Sequence, residues 1–438
     1  MTRETRRRGR FTLLAAAIVL ATGTCKSDPV TGSLYYSPLG SDFKSQDEYV
    51  RKNFLTELMI SNDGGLLNEP EIVAACGKVF EQVTRAVPKK HRRGFEYSFY
   101  LSGSAQINAY TYGGGRVHCH LGLLARCNDA AEFAGLMAHE IGHNSHDHPG
   151  RGMGKGVLGR TLGRLGSVAG DSSRRLFEGI GNAMTAPVTV QFTRDQERQA
   201  DDRAVDYTLA AGFDPDGTAR FFEGMQRDFG GSGLQLFQTH PFPKNRVKRI
   251  RGRIADAQKK TPTSNLVKKT PEFERALARV REIMPYYEKL EAAFYEKDPE
   301  PLRVAATEGA TALPQHPQFH FWLAMSHIGE EKNDLALASA RRAAALDSTN
   351  FMVSYLHAVL ALNEKQFAEA ETAASRMLTI VPVLVPGYML RGIARLGQRR
   401  REDAWADFDS AMELTPKKHR GGLQKEFQKY DPEYKHNR

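Results

Sequence analysis

Apolar residues return every three or four positions through EYVRKNFLTELM (48–59) and PEIVAACGKVFEQVTRAV (70–87), which predicts helices there, the second opened by Pro70. The period then shortens. FEYSFYLS (95–102) and GRVHCHLGLL (115–124) are β-rich and roughly alternating, and Gly113, Gly114 and Gly115 mark a turn between strands. Helical spacing resumes in NDAAEFAGLMAHEIGH (128–143), with Asn128 or Asp129 as N-cap and Glu132 in the first turn. Two more helices are expected in RDQERQADDRAVDYTLAAGF (194–213) and PDGTARFFEGMQRDF (215–229). Before them, residues 149–182 are too rich in glycine for stable helix and read either as a lid over a cleft or as a solvated insertion. After THPFPKNRVKRIRGRIADA the chain turns polar at KKTPTSNLVKKTP, as a linker would.

The remaining sequence repeats every 34 residues. Gly329, Asn363 and Gly397 form one column; Ala324, Ala358 and Gly392 a second; Ala336, Ala370 and Ala404 a third. Leu346, Ile380 and Leu414 follow, then Ser348, Pro382 and Pro416. Small residues at helix crossings and a repeat-end proline at this period resemble tetratricopeptide repeats, three of them over 317–416. Pro314 lies one period earlier, but Leu290 stands where the first small residue belongs, so 259–316 is expected to hold a linker and either a degenerate unit or a capping helix pair. Residues 417–438 read as a basic tail.

Charge adds an address. Five arginines precede the uncharged run FTLLAAAIVLATGT (11–24), the layout of a secretory signal, and Cys25 follows directly, where a lipoprotein would be acylated. Lipidation at Cys25 and simple secretion both remain open. The run is shorter than the ~20 residues of a spanning helix. With this segment removed, the formal charge of +10 loses +4 and the rest is spread without an aromatic-interleaved basic motif, which argues against nucleic acid. Cys76, Cys119 and Cys127 allow at most one disulfide, with no pair singled out, and no CxxC suggests a thiolate metal site.

Chemistry concentrates in AHEIGHNSHDH (138–148). On a helix His139 and His143 lie about 40° apart on one face, so both imidazoles can reach one ion while Glu140 sits beside it. A catalytic zinc needs a third protein ligand, and Glu197 in ERQAD supplies one from the next predicted helix, with Asp201 one turn later to orient a ligand histidine. His146 and His148 read as polar helix-end residues favoured by the dipole, and His118, His120, His316, His320, His327 and His357 as packing or surface residues.

The combination NAYTYGGGRVHCHLGLLARCNDAAEFAGLMAHEIGH, then Glu197 in ExxAD, then THPFPKNR resembles the gluzincin metallopeptidases of HtpX and the CAAX prenyl protease. It is most like the soluble BepA-type periplasmic members with C-terminal tetratricopeptide repeats. The resemblance covers roughly residues 40 to 255. It implies an α+β zincin-like domain over 26–258, mainly helical with a small sheet, followed by an all-α repeat domain. It implies one zinc per chain on His139, His143 and Glu197, with Glu140 as general base. It further implies a substrate-aligning edge from Asn108, Ala109, Gly114 and Gly115, where an extended peptide could add as a strand. His240 and Arg246 match a segment near the metal; His240 is either a regulatory fourth ligand or a transition-state contact, and both are candidates for the oxyanion partner.

The expected activity is endopeptidase action on extended or misfolded polypeptide in the cell envelope, with the repeats recruiting substrate or a protein partner and a lipid anchor holding the chain at the outer membrane. The other reading, from a different class, is a chaperone or scaffold that works through its repeats and keeps a latent metal site.

Overall fold

The computed structural model describes residues 24–27, 34–37, 56–57, 59–60, 63–149, 192–229, 236, 240, 245–260, 265–296, 298–382, 384–415 and 417–436. The apolar leader up to residue 23 and the glycine-rich stretch from 150 to 182 lie outside them. Cys25 falls within a short strand, β1 (Thr24–Ser27), paired antiparallel with β2 (Leu34–Ser37). The described residues group into two compact units, one of 24–37, 66–149 and 192–288, the other of 56–65 and 289–436.

The first unit is built around α3 (Ala130–Ser145), all of whose residues are buried. A helix with no exposed face needs partners on every side. These are α1 (Pro70–Ala86), α4 (Arg194–Ala210), α5 (Asp216–Phe229) and a small sheet. In that sheet β5 (Arg116–His120) lies between β3 (Ser98–Ser102), parallel to it, and β4 (Ala109–Thr111), antiparallel. The period-two stretches of the sequence thus pair as expected, and a one-turn helix, α2 (Leu121–Leu124), leads toward α3.

The start of α3 is closed by three groups. Asp129 is its N-cap and accepts from the Glu132 amide at 2.9 Å; the Glu132 carboxylate reaches back to the Asn128 amide, also at 2.9 Å; and the Ala131 amide donates to the Lys268 carbonyl at 3.0 Å. This last bond corrects the reading of 259–271 as a plain linker. Val267 exchanges hydrogen bonds with Gly212 and Asp214, because its backbone satisfies donors and acceptors that would otherwise be buried without partners. The compact unit accordingly runs past 258 to Glu288, within α7 (Pro271–Tyr295), which follows α6 (Arg246–Lys260).

The second unit is a succession of helix pairs: α9 (Pro317–Gly329) with α10 (Asn333–Leu346), α11 (Phe351–Asn363) with α12 (Phe367–Ile380), and α13 (Val385–Gly397) with α14 (Arg401–Leu414). Starts and ends recur every 34 residues, as do the turn residues Glu331, Lys365 and Arg399, each with φ near +60°. The helix α7 ends at Tyr295 and α8 spans Pro299–Ala312, one period before α9 and α10. The end of α7 and both ends of α8 are in register with the later pairs, whereas α7 begins at Pro271, well before the position one period ahead of Pro317. Leu290 is buried in place of the small residue. Residues 417–438 are more than a basic tail: α15 (Lys417–Phe427) lays Phe427 on Phe408 with centroids 4.2 Å apart, and Tyr434 closes the same apolar cluster. Asp431 accepts from Trp405 Nε1 at 2.8 Å and pairs with Arg401. An exposed apolar end of a repeat stack requires such a cap. Among the described residues no helix is long and apolar enough to cross a membrane.

The α3–α5 crossing depends on glycine. A Cβ on Gly217 would lie 2.4 Å from the Ala131 carbonyl, backbone against backbone. Gly217→Ala is expected to destabilise the first unit by about 1–3 kcal/mol through overpacking. Thermal unfolding followed by circular dichroism checks this: the midpoint of its transition should fall, and an unchanged midpoint would rule out the contact.

Candidate metal centre

The helices α3 and α4 approach closely at Gly142, where a Cβ would lie 3.0 Å from the Ala200 carbonyl. One residue beyond Gly142 is His143, and three before Ala200 is Glu197, so the crossing sets them face to face. His143 Nε2 lies 3.1 Å from His139 Nε2 and 3.3 Å from Glu197 Oε1. His139 Nε2 is 3.6 Å from Glu197 Oε2. A tetrahedral ion with bonds of about 2.0–2.1 Å has ligand atoms about 3.3 Å apart. The three side chains fit that spacing, with two imidazole nitrogens and a carboxylate converging on one buried point. His240 joins them, its Nδ1 2.9 Å from Glu197 Oε1 and 3.4 Å from His139 Nε2, completing a buried four-residue cluster with metal-ligating donors.

Charge agrees with geometry. Glu140, Glu197 and Asp201 are buried carboxylates, against which stands one fully buried guanidinium, Arg246, with Arg249 partly exposed. A divalent cation would balance the excess. Burial pushes the Glu140 carboxyl above its ordinary range, the nearby His240 and His139 only partly opposing it. Burial acts on Glu197 in the same sense, yet the charges of His240 and Arg246 outweigh it and hold Glu197 well below. Burial alone would lower His240, but the Glu197 and Glu140 carboxylates raise it.

Asp201 lies one turn after Glu197 and takes His139 Nδ1 at 3.0 Å, where it can set the ring's tautomer. Arg246 sits on the far side of the carboxylates. It donates to Asp201 through Nε at 3.1 Å and Nη2 at 2.8 Å, reaches Glu197 Oε2 at 2.9 Å, and rests 4.1 Å above the Phe222 ring. Through Nε and Nη2 it holds both carboxylates in place. Glu140 Oε1 lies 3.7 Å from His240 Nε2, and its Oε2 has no hydrogen-bond partner among the described residues.

The proposed substrate edge divides in two. Ala109 begins β4, whose only partner among the described strands is β5, so its other edge is unpaired there; Asn108 precedes it and accepts from the His120 amide at 3.0 Å. Gly114 and Gly115 instead form the tight turn before β5, with φ of +66° and +80°. A Cβ on Gly115 would lie 2.7 Å from the Glu96 carbonyl, and its amide donates to Asn144 Oδ1 at 3.2 Å. Asn144 also donates to Thr111 Oγ1 at 2.7 Å, so the residue after His143 ties the sheet to the metal helix.

His146 is the C-cap of α3, a helix-end residue as expected, while His148 lies beyond the end of that helix. Both are buried. After α3 ends, Asp147 takes φ +54° and pairs with Arg93 at 2.7 Å, and this reversal brings His148 back against His143. The two Nδ1 atoms are 2.9 Å apart. Phe192, stacked on His143 at 3.8 Å, was also beyond sequence reasoning. Cys76, Cys119 and Cys127 are all free and buried, so the described chain holds no disulfide among them.

Residues 75–254 match the sequence profile of peptidase family M48. Two relatives are named beta-barrel assembly-enhancing protease: one from Yersinia pestis, 28% identical over 183 residues (39% of this chain, 36% of that protein), and one from Escherichia coli K12, 25% identical over 224 residues (49% and 44%). A third, metalloprotease YcaL of Escherichia coli K12, is 27% identical over 164 residues (37% and 63%). The match thus spans less than half the length of the first two. The cluster of His139, His143 and Glu197 lies inside the matched segment, so residues 75–254 are similar to the peptidase family M48 domain in the part of the chain that carries the metal-ligating donors.

Proposed function

We propose that this chain is a zinc-dependent endopeptidase of the cell envelope that hydrolyses extended or misfolded polypeptide. The observation that carries the reading is the convergence of two imidazoles and a carboxylate beside a buried glutamate with one unpartnered oxygen. His139, His143 and Glu197 would hold the metal. A nitrogen and oxygen donor set without sulfur suits zinc, which when bound supplies a positive charge that acidifies a water and polarises a peptide carbonyl.

The protein's own part is proton transfer. Glu140 takes a proton from the attacking water as the C–O bond forms and delivers it to the amine as the C–N bond breaks. Its position favours this, since Glu140 directly follows His139 on the buried face of α3 and keeps one oxygen without a hydrogen-bond partner among the described residues. An extended substrate would lie along the open edge of β4 from Ala109, with Asn108 at its start. His240 stands where a fourth ligand would and so acts as a cover over the site rather than a transition-state contact. Arg246 fixes Glu197 and Asp201.

The 34-residue helix pairs support tetratricopeptide repeats that recruit substrate or a partner, and the names of the relatives suggest envelope protein assembly as the setting. The arginine-led apolar run and Cys25 suggest export, with acylation as the anchor to the outer membrane. The alternative, a chaperone acting through its repeats with a latent metal site, draws on the same position of His240.

Glu140→Gln is expected to retain one zinc per chain and to lose cleavage of an unfolded protein by at least 100-fold, read by metal analysis and gel-based proteolysis on one preparation. Undiminished cleavage would sink the mechanism. His240→Ala should keep the metal on three ligands and raise the cleavage rate; a fall in rate with metal retained would assign His240 to the transition state instead.

A further inference from the structure

His148 has no place in the metal cluster, yet it is fully buried and touches one of its members. Its Nδ1 lies 2.9 Å from Nδ1 of His143, the nitrogen on the opposite side of the ring from the one that faces His139 and Glu197. His148 therefore cannot be a ligand of the same ion. Its other nitrogen, Nε2, is 2.9 Å from Gln199 Oε1 on α4.

Hydrogen-bond bookkeeping allows one arrangement if His143 offers Nε2 to a cation. That nitrogen must carry a lone pair, so the proton of the neutral ring sits on Nδ1. His143 Nδ1–H then donates, and His148 Nδ1 must accept. His148 in turn carries its proton on Nε2, where the Gln199 amide oxygen receives it. With its oxygen turned to Nε2, Gln199 supports this tautomer of His148, and His148 in turn supports that of His143. The rings are also held in plane: Phe192 stacks on His143, and His146 stacks on His148 with centroids 5.2 Å apart and only 11° between planes.

We propose that His148, set by Gln199, is a positioning residue that fixes the tautomer and orientation of His143. The proposal rests on the metal reading of His139, His143 and Glu197. It makes the two histidines unequal. His139 is backed by the Asp201 carboxylate and His143 by a neutral imidazole, so the anionic partner enriches one ligand while the second is oriented without adding charge to a site that already holds three buried carboxylates.

The test uses the full chain stripped of metal, with zinc affinity measured by competition against a chromogenic chelator and ligand geometry read from the visible spectrum of the cobalt form. His148→Phe keeps a planar ring but has no acceptor, and should weaken zinc binding about 10- to 100-fold. His148→Gln restores an acceptor oxygen and should recover most of that loss. Gln199→Leu should weaken binding and perturb the cobalt spectrum, whereas Gln199→Glu, which still accepts from Nε2–H, should not. Thermal midpoints of the metal-free variants separate folding from binding.

If His148→Phe binds zinc as the unaltered protein does, or if His148→Gln is as impaired as His148→Phe, the proposal is overturned while the metal reading stands. If the unaltered protein takes up no zinc, both fall.

Discussion

The close crossing of α3 and α4 at Gly142 and Ala200 is the contact on which the centre depends. Neither helix alone holds a site. The first carries two histidines one turn apart and the second two carboxylates one turn apart, and only a crossing without intervening side chains brings nitrogen and oxygen within 3.3 Å. A bulkier pair would separate the helix axes, which lie about 8–10 Å apart in ordinary packing, and pull ligands from the distances an ion requires. The glycine of the metal motif thus serves packing as directly as the histidines serve ligation.

That crossing buries charge, and much of the surrounding unit answers the consequence. Asp201 and Glu197 are held by Arg246, which is itself supported from below by Phe222. Asn144, one residue past His143, is tied to the turn at Gly115 and to Thr111 at the end of β4. The strand whose edge could receive a peptide and the helix that bears the ligands are therefore linked by one side chain. A displacement at the strand has a direct route to the ring of His143, whose backbone is covalently joined to Asn144.

Reading the sequence recovered what local periodicity and fixed spacing encode. The pair His139 and His143, the later Glu197 and Asp201, a cap at Asn128 or Asp129, and the 34-residue repeat are all properties of helices, where position along the chain determines position on a face. What escaped depends on reversals that no period announces. His148 follows His143 by five residues, and continued helix would carry it away from the ring; a left-handed Asp147 returns it. Phe192 and Gln199 approach from α4 and its preceding turn, and their relevance appears only once the crossing is known. The boundary of the first unit was missed for a similar reason: Val267 and Lys268 look like polar linker, but their carbonyls satisfy donors at Asp214 and Ala131.

The repeats show the converse limit. Their period is legible because each pair repeats one solution to one packing problem, and even the divergent pair before Pro314 keeps the end of α7 and both ends of α8 in register though Leu290 replaces a small residue. The end of the array is not periodic and was read as a basic tail. A stack of helix pairs must nevertheless terminate, and the face of α14 that would meet a further repeat presents Phe408, Ala411 and Met412. Phe427 and Tyr434 cover it, spaced seven residues apart in a segment whose charge had hidden them. Composition describes the solvent side of such a segment, and two aromatic residues decide what the other side does.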